Sequence, residues 1–124
     1  MQEIKSFFSN LRMKREPPIK RVEVSGDGFV VWKADGISES VRWSQIEGVY
    51  TYKVDCYTID MIWLAFVEKG EKEFHIKEDA EGFEQLMSAV NKAFPEIDGE
   101  WYQRVMQPPF AENFTILYLR KQEA

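Results

Sequence analysis

The sequence predicts an α+β domain. An antiparallel sheet, strongly bent or forming a partly open barrel, is packed by one long helix, with an amphipathic helix ahead of it and an extra strand behind. Three observations carry this expectation. Between positions 19 and 77 apolar residues recur at the period of strands, and tight-turn dipeptides separate the runs. Between 79 and 94 the period changes to that of a helix. Aromatic residues make up 15% of the 124 residues, enough to fill an interior that a disordered chain would lack.

The elements follow in order. Ile4, Phe7, Phe8 and Leu11 fall at i, i+3, i+4 and i+7, with Lys5, Arg12, Lys14 and Arg15 off that stripe, so residues 1–16 read as a basic amphipathic helical arm. Pro17-Pro18 forbids helix ahead of it and divides the arm from a single domain over 19–124. Val22 and Val24 lie on a first strand, Asp27-Gly28 turns it, and Phe29 to Ala34 returns. Asp35-Gly36 repeats the device and leads into Ile37 to Trp43, where Ser44 is expected to cap a brief turn before a long strand from Glu47 to Asp55. Ile59 to Glu68 is apolar on both faces and reads as a central, doubly covered strand, and Lys69-Gly70 turns the chain into Glu73 to Lys77. Asp79 is the expected N-cap of the long helix. Ala80, Phe83, Leu86, Met87, Val90, Ala93 and Phe94 form its stripe, and Pro95 stops it. A short helix over Asp98 to Met106 bears Trp101, and Asn113 to Arg120 is the last strand. Consecutive hairpins capped by one helix are the general plan of pleckstrin-homology-like domains, although there the helix comes last.

Charge bounds the function. The net charge is −5, yet residues 1–21 hold six cations against two anions, leaving ten against nineteen of the chain's 16 and 21 for the rest. A strongly acidic body repels phosphates, so no nucleic acid is expected, and base stacking on Trp32, Trp43, Trp63 or Trp101 gives way to core packing. One cysteine, Cys56, permits no internal disulfide. The charged start lacks the unbroken apolar stretch of a secretory signal, which points to a reducing cytoplasm. No apolar run approaches the ~20 residues that span a bilayer, so membrane contact is expected to be peripheral at most.

Chemistry is sparsely signalled. The lone histidine, His75, sits between inward Phe74 and Ile76 and is expected to face solvent. Cys56 stands beside Asp55, which disfavours its thiolate. No catalytic residue, metal site or cofactor is expected: ligand spacings are missing, and Gly26-Asp27-Gly28 lacks the following helix that a phosphate cradle needs. Lys53, Asp55 and Asp60 surround a hairpin tip with Tyr52 and Tyr57. A wet tip favours turn hydrogen bonds and a Lys–Asp pair over acid/base catalysis.

Trp43-x-x-Ile46-x-x-Val49, Lys53-x-Asp55, Asp60-x-Ile62-x-Leu64-x-Phe66, Glu78-x-x-x-Gly82-Phe83-x-x-Leu86, Trp101-x-x-x-Val105 and Pro109-Phe110-x-x-Asn113-x-Thr115 together resemble a group of small bacterial proteins with a pleckstrin-homology-like core. The resemblance covers roughly residues 43–120. It implies a stand-alone bacterial domain and brings no activity with it; several small acidic domains of this kind resemble immunity proteins that bind and block a toxin. Within the pattern, Lys53, Asp55, Asp60, Glu78 and Asn113 are the residues that core packing explains least, and they are the candidate binding residues. Gly82 is expected to allow close approach of the helix to the sheet or to a partner.

The leading expectation is a non-catalytic domain that binds an unidentified protein partner through its acidic body or its N-terminal helix, in the manner of an immunity-type inhibitor. Phe7, Phe8, Leu11, Arg12, Lys14 and Arg15 are that helix's contact residues. They equally suit packing on the protein's own sheet, self-association, or peripheral contact with anionic lipid headgroups. A further alternative is a small-molecule or enzyme site near Asp55 and Asp60, which requires Asp55, Asp60, Trp63 and His75 to converge.

Overall fold

Alternation of apolar residues and the two Asp-Gly turns produce an antiparallel meander in a computed structural model that describes residues 17–55, 60–70, 72–107 and 113–120. Strands β1 (Ile19–Val24), β2 (Gly28–Lys33) and β3 (Ser38–Arg42) form a three-stranded sheet in that order. Strands β4 (Ile46–Asp55), β5 (Asp60–Glu68), β6 (Glu73–Lys77) and β7 (Asn113–Leu119) form a second sheet ordered β6-β5-β4-β7. Both sheets are antiparallel throughout and neither closes on itself.

One strongly bent sheet or partly open barrel was expected, and two open sheets are present. The separation lies at Trp43–Gln45, a 3-10 turn whose Trp43 carbonyl accepts from the Ile46 amide. Local bonds here replace the ladder that would have joined β3 to β4. Ser44 makes no capping bond to this turn. Trp43 instead anchors it, its ring lying 5.2 Å from Phe29 and edge-on to Phe94 at 5.9 Å.

Helix α1 (Phe83–Ala93) covers the inner face of the sheets and α2 (Trp101–Met106) closes one end of the second sheet. The expected cap at Asp79 is not used. The Val22 amide donates to the Glu81 carbonyl at 2.8 Å, and the Glu81 amide donates to Lys20 at 3.0 Å. Backbone that pairs with β1 in this way cannot also be helical, so α1 starts at Phe83 after Gly82, which has φ 89° and no side-chain cap. A Cβ on Gly82 would stand 2.1 Å from the Val22 carbonyl oxygen. The glycine thus brings the helix start against β1, as its position suggested.

The main core joins Phe29, Val31 and Val41 of the first sheet to Val49, Ile62, Leu64, Phe66, Phe74 and Ile76 of the second, under Phe83, Leu86 and Val90 of α1 and Phe94 just after it. Phe29 and Phe66 meet at 4.8 Å between centroids and stitch the sheets together. Central β5 is buried on its inner face, and its outward Ala65 is also fully covered, as a doubly apolar strand requires.

Candidate functional site

Four of the five candidate polar residues meet around α2. Lys53 and Asp60 lie near the end of the β4–β5 hairpin, and Lys53 stands opposite Ile62 on β5 and Asn113 on β7. Strand alternation turns Lys53 toward the helices, since its partner Ile62 is a core residue. Lys53 is 0% exposed. Its Nζ donates to the Met106 carbonyl at 2.9 Å and lies 3.7 Å from the Asp60 carboxylate. A buried ammonium is tolerable only with such partners. Met106 ends α2, where carbonyls lack helical donors and a cation is favoured.

Glu78 works on the same helix from the other side. One of its carboxylate oxygens accepts from the Ile62 amide at 3.0 Å, and the other accepts the Tyr102 hydroxyl hydrogen. Burial, then the hydrogen bond and charge of Glu78, push the Tyr102 phenol up to about 12. Asn113 donates through Nδ2 to the Gln107 carbonyl at 3.4 Å and accepts from Thr115 at 3.0 Å. Asp55 stands opposite Asp60 in the register, with its backbone alone among the described atoms. The hairpin end expected to be wet is therefore dry at Lys53, because α2 and its carbonyls fold over it.

The opposite face of the second sheet holds a separate cluster: Tyr52 and Ala65 are buried among Tyr50, Val54, Trp63 and Phe114. His75 belongs here, and its expected solvent exposure is not observed: the side chain is 13% exposed. Its Nδ1 lies 3.1 Å from the Tyr52 hydroxyl and its Nε2 lies 3.2 Å from Glu73. The tautomer protonated at Nε2 satisfies both bonds, with Tyr52 donating to Nδ1. The order acid, imidazole, hydroxyl has the form of a relay. Tyr52 is 1% exposed, however, and burial followed by the Glu73 charge holds its phenol far above the usual tyrosine range. This triad orders the sheet face and presents no accessible nucleophile.

The small-molecule site imagined near Asp60, Trp63 and His75 does not assemble. Asp60 is on the helix side with Lys53, whereas Trp63 stacks on Tyr52 at 5.9 Å on the other side with His75. Cys56, Tyr57 and the arm residues Phe7, Phe8, Leu11, Arg12, Lys14 and Arg15 lie outside the described residues. Sequence reasoning missed Tyr102 and Glu73, and placed Tyr52 at the hairpin tip without its partner His75. Glu73 was accessible in principle, being two positions from His75 on one strand face; Tyr102 gave no signal, because its partner lies 24 positions away. Among the described residues no group of three or more His, Cys, Asp and Glu is placed to hold a metal, and no helix is long and apolar enough to cross a membrane. Comparisons with known proteins find no matching family model, no matching curated protein and no matching solved structure.

Proposed function

We propose that the chain is a non-catalytic protein-interaction domain that accepts a partner along the outer edge of β7. The observation that carries this reading is the chemistry of that edge. β7 has seven residues, none of them charged and none proline, and among the described residues no strand pairs with its outer side. Ile116 and Leu119 are 46% and 56% exposed. Free edges are normally guarded by lysine, proline or brevity. The nearest cation, Arg120, is folded back, its guanidinium donating to the Ser44 carbonyl at 2.7 Å and its amide to Glu47 at 2.8 Å. From Thr115 to Leu119 this side of β7 has no strand partner among the described residues, and with its two exposed aliphatic side chains it suits strand addition, in which main-chain bonds give affinity and side-chain pockets give specificity.

In this reading the two sheets and α1 form a pleckstrin-homology-like core in a cytoplasmic protein, and β7 is the addition used for binding. The acidic body selects a basic partner and steers its approach, as an immunity-type inhibitor would do toward a toxin. The lipid-headgroup alternative rests on residues 1–16 and gains no support from the described ones.

Affinity capture from the native host tests this with the wild-type chain and with the double variant Ile116→Lys, Leu119→Lys. A stoichiometric protein bound to wild type, lost from the variant and released as salt rises, is the expected result. Equal capture by both chains, or salt-independent binding, would overturn the reading.

A further inference from the structure

The outer flank of α1 carries a feature that the interaction reading does not use. Gln85, Ser88 and Lys92 follow one another along a single helical face, and behind them stand Ala89 and Ala93, four residues apart. Alanine at both positions leaves a gap between the helix and the β1–β2 turn. The turn does not fill it, because a Cβ placed on Gly26 would meet nothing within 4 Å. The result is a hollow of about 500 Å³, within the range that holds small organic ligands.

Its lining has two chemistries. Trp43, Val24 and the two alanines make an apolar floor. Trp43 is the fixed part of that floor, held by Phe29 and Phe94 through ring contacts at 5.2 and 5.9 Å. Ser25, Gln85, Ser88 and Lys92 supply the polar rim. Lys92 enters no ion pair among the described residues, although the chain has 21 acidic residues to offer. The Ser25 hydroxyl donates to the Gly28 carbonyl at 3.2 Å and keeps its lone pairs for a ligand donor.

From this geometry we propose that the hollow binds a small amphipathic organic anion, with a flat apolar body against Trp43 and a single carboxylate-type group on the Lys92 ammonium. Among the described residues the only cation of the rim is Lys92, so an anion is preferred over its neutral analogue. Gln85 and the two serines bond the ligand's remaining polar atoms. The site shares no residue with the β7 edge, so each proposal stands or falls by itself.

The test is a titration of the full chain with indole-3-propionate and, separately, with its neutral amide, followed by backbone amide shifts in nuclear magnetic resonance. The acid is expected to shift Ser25, Gly26, Ser88 and Lys92 and to bind about threefold more tightly than the amide, as one exposed ion pair allows. Lys92→Gln, on the exposed face of α1, should erase that preference. Ala89→Leu should fill the hollow and abolish binding of both probes. Equal affinities for acid and amide in the wild type, shifts confined to other surfaces, or no saturable shift with either probe would overturn the proposal.

Discussion

Tyr102 donates to Glu78, and its phenol is pushed up to about 12 chiefly by burial. An unfolded tyrosine titrates near about 10, so the folded chain holds this proton more tightly than the unfolded one. The stabilisation is whole below that value and is lost as pH rises through about 12. Tyr102→Phe cannot lose it. Urea midpoints for the two chains should therefore differ most below about pH 10 and converge only as pH passes about 12; a constant gap would mean that the phenol's proton plays no part. The same residue shows why the site was only half legible. Lys53, Asp60, Glu78 and Asn113 stand out in the sequence as polar residues unsuited to a core. The Lys53–Asp60 pair and the partners of Asn113 are local, but others lie far along the chain: 53 positions for Lys53 to Met106 and 16 for Glu78 to Ile62. Side-chain type announces that a polar atom needs a partner, and nothing local says which.

Among the elements, α1 is the one whose start was misplaced, and the reason is a competition for backbone bonds. Asp79 is a cap-forming residue and Ala80 and Glu81 favour helix, yet Glu81 exchanges bonds with Lys20 and Val22 of β1. Gly82 then absorbs the change of direction in the left-handed region, where only glycine is unstrained. Gly82→Ala adds a Cβ at 2.1 Å from the Val22 oxygen and should cost well over about 1 kcal/mol. Gly26→Ala, where a Cβ meets open space, should change stability by less than about 0.5 kcal/mol. Comparable urea midpoints for the two variants would mean that the helix start is not seated on β1 as described. The hairpins were easier to foresee, because an Asp-Gly turn and a period of two are both properties of a few adjacent residues.

At the scale of the whole molecule, the two sheets are held by a shared core and by an ionic contact among the described residues. Glu39 of β3 pairs with Lys33 at 2.7 Å and with Lys72 from the β5–β6 connection. The two ammonium groups hold the Glu39 carboxyl below its usual range. That contribution is present above the unfolded carboxylate value and fades as pH falls through the lower folded one. Since Phe29, Phe66 and Trp43 span both sheets and α1, tryptophan fluorescence and far-ultraviolet circular dichroism should report one coincident unfolding transition; two separated transitions would show that the sheets fold independently. The sequence by itself determined the α+β class, nearly every strand, and the polar residues that would need partners. Those properties follow from periodicity and turn chemistry over a handful of neighbours. Only the tertiary structure decided that the sheet divides at Trp43, that β7 lies beside β4, that Lys53 is dry, and that His75 is engaged. Each of these depends on which distant surfaces meet, and burial and long-range pairing are set by the free energy of the whole assembly of elements, which no local pattern contains.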